Sequence, residues 1–292
     1  MDSVQLRLLR EDDLQSAERA SAVTFLEANR RSRRVSEPEI EPRSASVSKQ
    51  WIDRIRFFLA VDPGGCWVAA DGDDVIGFAI SQNRGRVWFL ATYGVLPGHQ
   101  GMGIGKRLMD AVLAHSAGRQ GMFISSVHPG ATRRYRLAGF SLYPLMWMVG
   151  TVDRSTLPVV AGIREGQVSD LEWMDRLDQD LRGAGHGPDH GYMLDTPRLV
   201  VSRAKGRPGY VYIDDQGRGV LLAAARPETA QNLLWEALAS SRGDTAVNSI
   251  TTANEWAVDV GLAARLDIGQ EGYLAVRGMK APAPYLASGH FL

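Results

Sequence analysis

Hydrophobic and polar positions alternate along the front half of the chain in a way that predicts strands and amphipathic helices. Apolar runs predict strands at 4–9, 66–70, 75–81, 87–96, 121–127 and 141–152. Apolar residues three and four apart predict helices at 11–26, 48–59, 104–115 and 131–139. The charged segment from Arg30 to Pro42 is interrupted by prolines, and we expect it to form a loop.

The same order of elements starts again after a short linker at 153–158. Ile163-Arg164-Glu165 resembles Leu9-Arg10-Glu11, and a helical pattern follows through Leu181. Later patterns predict strands at 199–202, 210–213, 220–225 and 246–251, with helices at 233–238 and 254–264. We therefore expect domains at 1–152 and 159–280, and a tail at 281–292. The tail is extended, and its apolar residues Tyr285, Leu286, Phe291 and Leu292 leave open whether it docks on the other domain or stays free.

A glycine-rich turn joins the strand at 87–96 to the helix at 104–115. The first N–H groups of a helix have no partner within it, and the helix dipole is positive at that end, so the turn predicts an anion site. Two common phosphate motifs are excluded by spacing. Gln100 stands where a P-loop needs glycine, and Lys106 and Leu108 stand where the dinucleotide motif needs its third glycine.

The residues from Val95 to Gly105 read Val-x-Pro-x-x-Gln-Gly-x-Gly-x-Gly, which resembles the acyl-CoA pyrophosphate loop of the GNAT acetyltransferases. A second element, Ala131-x-x-x-Tyr135-x-x-x-Gly139-Phe140, is similar to the one that follows this loop in the same superfamily. The resemblance implies an α+β fold in αβα layers, with a mixed, mostly antiparallel sheet, here duplicated in tandem. It also implies acetyl-CoA as the co-substrate.

The resemblance further implies a role for each matching residue. The pyrophosphate would lie on Gln100, Gly101, Met102, Gly103, Ile104, Gly105 and Lys106, and the acyl carbonyl would accept a hydrogen bond from the main chain of Val95 or Leu96. Tyr135 would protonate the leaving thiolate, although it could instead be a packing aromatic. Many relatives carry a glutamate on the strand before the loop, which this chain lacks; His99, Glu37, Glu39 or a chain of waters could serve as the base.

The rear half has lost these signatures. At an offset of 125 residues the loop becomes Ala225-Arg226-Pro227-Glu228-Thr229-Ala230, without glycine and with a carboxylate where a phosphate would lie. At an offset of 126, Gly261 takes the place of Tyr135. We expect this degenerate copy to act as a scaffold or as a wall of the substrate site.

Composition excludes several partners and sites. The chain has 33 basic and 33 acidic residues, so its charge favours neither nucleic acid nor an anionic membrane. A single cysteine excludes an internal disulfide framework, and we expect a cytoplasmic protein without a metal. His186 and His190 flank Gly187 and Pro188, which favours a loop, and no third ligand is visible in the sequence.

These observations lead to one main hypothesis, an acetyl-CoA-dependent N-acetyltransferase that acts on a primary amine of a small molecule by direct attack. The alternatives are a protein lysine or N-terminal acetyltransferase and a non-catalytic acyl-CoA-binding protein. We expect a monomer or a homodimer. The identity of the acceptor does not follow from the sequence.

Overall fold

The computed structural model describes residues 4–33, 38–195, 197–204 and 206–291. The helices are α1 (Leu14–Ser32), α2 (Ala45–Val61), α3 (Ile104–His115), α4 (Pro129–Leu137), α5 (Leu171–Arg182), α6 (Pro188–Leu194), α7 (Pro227–Ser240) and α8 (Glu255–Ala263). The strands are β1 (Val4–Leu8), β2 (Cys66–Asp71), β3 (Asp74–Arg84), β4 (Val87–Val95), β5 (Gln120–Ser125), β6 (Ser141–Thr151), β7 (Ile163–Glu165), β8 (Arg198–Ala204), β9 (Arg207–Ile213), β10 (Gly219–Ala224), β11 (Asp244–Ile250), β12 (Asp267–Arg277) and β13 (Tyr285–Leu286).

Two compact units contain these elements. The first unit comprises 1–83, 88–119 and 128–130, and the second comprises 84–87, 120–127 and 131–292. The predicted α+β class with a mostly antiparallel sheet, duplicated in tandem, is confirmed. Within the described residues, no helix is long and apolar enough to cross a membrane.

The first unit is built on strands in the order β1-β2-β3-β4. Strand β2 pairs antiparallel with β1 on one side and with β3 on the other. Phe58 of α2 and Phe89 of β4 are both fully buried and meet edge to face, with ring centroids 6.0 Å apart. Burial of such aromatic pairs is a large favourable contribution to folding, and it fixes helix α2 on the sheet.

The loop predicted from Arg30 begins later than expected, because α1 continues to Ser32. Arg31 donates to the carboxylate of Glu27, four residues earlier, at 2.9 Å, and such pairs support a helix even where its surface is highly charged. Charge alone is therefore a poor signal for a helix end. The prediction for 34–37 lies outside the described residues.

One sheet of the second unit has the strand order β5-β12-β6-β11. Strand β12, which was not predicted, pairs antiparallel with both β5 and β6, and β11 pairs with the far side of β6. A strand from the rear half thus lies between two strands of the front half. For this reason the compact units do not divide at residue 152, where the sequence predicted a boundary.

The other sheet of the second unit has the order β13-β10-β9-β8-β7. Its core is formed with α7 and α8, by buried aliphatic residues such as Val211, Leu233 and Val260. The tail docks on this sheet: β13 pairs antiparallel with β10, and Tyr285 and Phe291 are buried. The tail therefore covers the edge of the rear half from which it comes.

The segment around His186 contains a helix where a loop was predicted. Helix α6 begins at Pro188, with Gly187 as the residue before it. Proline suits the first turn of a helix, because its missing N–H would have no partner there in any case. The Gly-Pro pair therefore marks a helix start, and His190 lies on that helix.

Candidate active site

The glycine turn lies between β4 and α3, in the first unit. Gly98, Gly101 and Gly103 have φ values of +87°, +81° and +82°, a left-handed conformation that residues with a Cβ rarely adopt. A Cβ built on any of the three would meet nothing within 4 Å. The glycines thus serve the backbone conformation, and the space outside the turn is open to a ligand.

This turn contains a series of backbone N–H donors. At its entrance the N–H of Leu96 donates to the Ile76 carbonyl at 2.9 Å, and at its exit the N–H of Arg107 donates to the Gly103 carbonyl at 3.1 Å. Between them, the backbone N–H groups of 100–106 donate to no acceptor in the part of the chain that the structure describes. They stand at the positive end of a 12-residue helix, which is the arrangement that binds phosphate groups.

Two side chains hold the turn in place. The side-chain amide of Gln100 donates to the Val95 carbonyl at 3.0 Å, and the hydroxyl of Tyr93 donates to the Gly105 carbonyl at 2.8 Å. A Cβ at Gly105 would lie 2.6 Å from that hydroxyl. The contact with Tyr93 therefore requires glycine at position 105. The sequence pattern did not reveal that Tyr93 holds this turn.

The other predicted residues of the turn differ in what they offer. Met102 is half exposed, whereas the side chain of Ile104 is buried, so Ile104 offers only its backbone. The ammonium group of Lys106 donates to the carboxylate of Asp110 at 2.6 Å on the exposed face of α3. Because the N–H of Leu96 is used within the sheet, Val95 is the better candidate for the acyl carbonyl.

Tyr135, the predicted acid, belongs to the second unit, on helix α4. It is 6% exposed, and its ring meets Phe123 of β5 edge to face at a centroid distance of 4.6 Å. Phe123 in turn meets Phe140 in the same manner, at 4.8 Å. The ring is thus fixed by aromatic packing, which suits either predicted role of this residue.

The candidate bases remain predictions. Glu39 is exposed and accepts a hydrogen bond from Arg33 at 2.8 Å, and Glu37 lies outside the described residues. Helix α1 contributes another polar group: the hydroxyl of Thr24 is buried and has no hydrogen-bond partner among the described residues. A Cβ at Gly94 of β4 would lie 3.0 Å from the Thr24 methyl group, so Thr24 lies against the strand that leads into the turn.

Both halves contain an arginine–aspartate ion pair just before their first α-helix, which supports the duplication. Arg7 donates twice to the carboxylate of Asp13, at 2.6 and 2.8 Å, and Arg164 donates twice to Asp170, at 2.8 and 2.7 Å. Hydrogen bonds from these guanidinium groups lower the pKa of Asp13 below its ordinary value and that of Asp170 to about 2. Arg164 therefore corresponds to Arg7, and the predicted match of Arg164 with Arg10 is wrong by three residues.

In the described part of the rear half, the turn before α7 is not of this open kind. Helix α7 starts after Arg226 with Pro227, in place of left-handed glycines. A Cβ at Gly261, at the position predicted to match Tyr135, would lie 2.6 Å from the Cγ of Met148, so no larger side chain fits there. The edge of β10 is covered by the tail, and Asn254 accepts from the Tyr285 N–H at 2.9 Å and donates to the Pro282 carbonyl at 3.2 Å.

Comparison with known proteins agrees with this geometry. Residues 24–140 match the acetyltransferase (GNAT) family, which includes the glycine turn and reaches Phe140. No curated protein matches the chain. The matched region ends in the front half, as expected if only that half keeps the signatures.

Solved structures resemble the chain over nearly its full length. A candidate acetyltransferase from Pyrococcus horikoshii is 16% identical, with a TM-score of 0.75 over 99% of this chain and 95% of its own. A GCN5-related N-acetyltransferase from Kribbella flavida is 17% identical, with a TM-score of 0.60 over 94% of this chain and 71% of its own. A tandem GNAT protein from the clavulanic acid biosynthesis pathway is 14% identical, with a TM-score of 0.57 over 95% of this chain and 100% of its own. At such low identities these structures establish a shared fold.

Proposed function

Residues 24–140 match the acetyltransferase (GNAT) family, and we propose that the chain is an N-acetyltransferase with two tandem GNAT-like halves. It transfers the acetyl group of acetyl-CoA to a primary amine of a small molecule. One observation supports this proposal above the others: the unpaired backbone N–H groups at the start of α3, with open space beside three left-handed glycines. A diphosphate is the chemical group that such a turn binds best.

In the proposed mechanism, the amides of 100–106 bind the diphosphate of acetyl-CoA, which supplies an activated thioester. The amine nitrogen attacks the carbonyl carbon directly, so the C–N bond forms and the C–S bond then breaks. The N–H of Val95 donates to the oxyanion, which is stabilised most in the transition state. Tyr135 gives its proton to the thiolate, and a base, still to be identified, takes the proton from the amine.

The choice of a small acceptor is supported by the rear half. This half is a complete folded copy without an anion turn of its own, and a wall of the acceptor site is the role we propose for it. One of its structural relatives comes from a pathway that makes a small molecule, clavulanic acid. We also propose that the protein acts in the cytoplasm as a monomer or homodimer. Its balanced charge favours neither a nucleic-acid partner nor an anionic membrane.

A direct assay separates the proposal from its alternatives. The protein is incubated with acetyl-CoA and either small amines or peptides with free lysine and N-terminal amines, and the released thiol is measured. We expect turnover with small amines. Turnover with peptides alone would replace the proposal by protein acetylation, and tight cofactor binding without turnover on any acceptor would favour a non-catalytic acyl-CoA-binding protein.

A further inference from the structure

Three side chains that share metal-binding chemistry meet inside the second unit, away from the glycine turn in sequence. Asp178 lies on α5, His190 on α6, and His186 between the two helices, and all three are fully buried. The Nδ1 of His186 and the Nε2 of His190 lie 2.8 and 3.1 Å from the same carboxylate oxygen, Oδ2 of Asp178. Two imidazole nitrogens thus converge on one oxygen.

Each of these groups is oriented by a tyrosine hydroxyl. Tyr210 donates to the other carboxylate oxygen of Asp178 at 2.7 Å. The outer nitrogen of His190 lies 3.1 Å from the Tyr212 hydroxyl, and that of His186 lies 3.3 Å from the Tyr285 hydroxyl. Ligands of protein-bound metals have this second layer of hydrogen bonds, which fixes ring orientation and tautomer.

We propose that Asp178, His186 and His190 bind a divalent transition-metal ion of the zinc type. Their candidate ligand atoms all lie within 4.8 Å of one another. Zinc takes imidazole nitrogens and carboxylate oxygens at about 2.0–2.2 Å, which separates neighbouring ligands in a tetrahedral site by about 3.3 Å. The two histidine nitrogens lie 2.8 and 3.1 Å from the carboxylate oxygen, slightly closer than this, and within 4.8 Å of each other.

Asp175 lies at the edge of this cluster, outside the set of three ligand atoms that are close to one another. Its Oδ1 accepts a hydrogen bond from the Gly187 N–H at 2.9 Å and lies 3.6 Å from the Nε2 of His190. Its side chain is 38% exposed, so this edge offers an entry for the ion. With Asp178 it provides two negative charges, which neutralise a divalent cation. Arg182, one turn further along α5, carries a positive charge that repels the cation. The charge of Arg84 is neutralised by Asp189, which accepts two hydrogen bonds from it at 2.9 and 2.6 Å.

The proposed site is structural. Its ligands join α5 to α6, and Tyr285 connects His186 to the tail. An ion there would crosslink α5 and α6, and the contact between Tyr285 and His186 would extend this support to the tail. Without an ion, the same side chains form a hydrogen-bond network in which both neutral rings donate an N–H to Asp178. Metal content distinguishes the two states.

The first experiment uses the full-length protein as purified, without a metal-affinity tag, and measures metals by inductively coupled plasma mass spectrometry. We expect about one zinc per chain. Removal with a chelator should lower Tm by about 5 °C or more, and added Zn²⁺ should restore it. Titration of the stripped protein with Co²⁺ should give the visible absorption of a tetrahedral site.

Variants assign the ion to this cluster. Asp178→Asn and His190→Gln should lose the zinc and the cobalt spectrum. Asp180→Asn, on an exposed residue of the same helix, should keep both. Absence of metal in the purified protein, together with no cobalt spectrum and a Tm unaffected by chelator or Zn²⁺, would overturn the proposal. This wild-type result stands even if a variant fails to fold, and it is independent of any acetyl transfer.

Discussion

The front and rear halves have the same order of elements but opposite states at the point where a ligand would bind. Helix α3 follows left-handed Gly103, with unpaired amides, whereas helix α7 follows Arg226 and Pro227. Helix α4 carries the large Tyr135, and helix α8 carries Gly261 packed on Met148. The arginine–aspartate pair before the first helix is nevertheless present in both halves.

This difference shows which parts of a duplicated fold can diverge. The ion pair and the buried helix faces stabilise each half, so their loss would cost folding free energy. The left-handed glycines and Tyr135 have no counterpart at the corresponding described positions of the rear half, which has the same order of elements without them. In the rear half, the tail covers the strand edge that would otherwise stay unpaired.

The largest effect is expected from a negative charge at the start of α3. Gly103→Glu should reduce affinity for acetyl-CoA by at least about 100-fold, because the carboxylate repels the diphosphate and the left-handed position resists a side chain. Arg226→Glu places the same charge before α7 and should leave affinity unchanged. Calorimetry measures both variants, with circular dichroism to confirm folding. Equal affinity for the wild type and Gly103→Glu would reject the turn as the cofactor site.

Removal of the tyrosine hydroxyl tests the second difference. Tyr135→Phe keeps the aromatic packing on Phe123, and should lower kcat by about 100-fold, as expected when a general acid is lost, with cofactor affinity nearly unchanged. Tyr143→Phe, on a half-exposed tyrosine of β6, is the control and should keep full turnover. Unchanged kcat in Tyr135→Phe would leave this residue with a packing role only.

The tight packing around Gly261 in the rear half can be tested by adding a single methyl group there. Gly261→Ala should lower the free energy of unfolding by about 1–3 kcal/mol, because the new Cβ would overlap the Met148 side chain. Gly243→Ala, where a Cβ meets nothing within 4 Å, should change stability little. Denaturant titration measures both. If Gly261→Ala is as stable as the wild type, the space beside Met148 accommodates a Cβ, which would contradict this prediction.

The smallest effect concerns the shared ion pair. Asp170→Asn should lower Tm by about 3–6 °C at pH 7, since it removes charged hydrogen bonds from Arg164. The folded-state pKa of Asp170 is lowered from 3.8 to about 2, so its stabilisation is present above about pH 4 and is lost as the pH falls towards 2.

The difference in Tm between wild type and Asp170→Asn should therefore shrink across that range. Asp13→Asn, the matching change in the front half, should behave in the same direction. A difference that is constant from pH 7 to pH 2 would contradict the assigned pKa.

Much of the fold could be predicted from the sequence, because local patterns determine it. Glycines between an apolar strand and an amphipathic helix marked the turn, and the repeat of element order marked the tandem copy. Strand β12 was missed, since its central residues Gly269 to Gly272 are polar or glycine and its pairing with β5 and β6 joins residues far apart in sequence. Non-local pairing leaves little trace in a local pattern.

The site was predictable in its backbone and less so in its side chains. The left-handed turn follows from glycine spacing, but the hydrogen bond from Tyr93 to Gly105 depends on the close approach of strand and helix. The same holds for Asp178, which lies eight residues before His186 and joins the histidines only once α5 and α6 pack. A His-x-x-x-His spacing with a preceding aspartate was the available signal.

The central claim is that backbone amides of the front turn hold the diphosphate of acetyl-CoA. A crystal structure of the protein soaked with acetyl-CoA tests it most directly. The account predicts one cofactor per chain, with its diphosphate within hydrogen-bond distance of the N–H groups of 100–106. A cofactor bound at the start of α7, or anywhere else in the rear half, would contradict it.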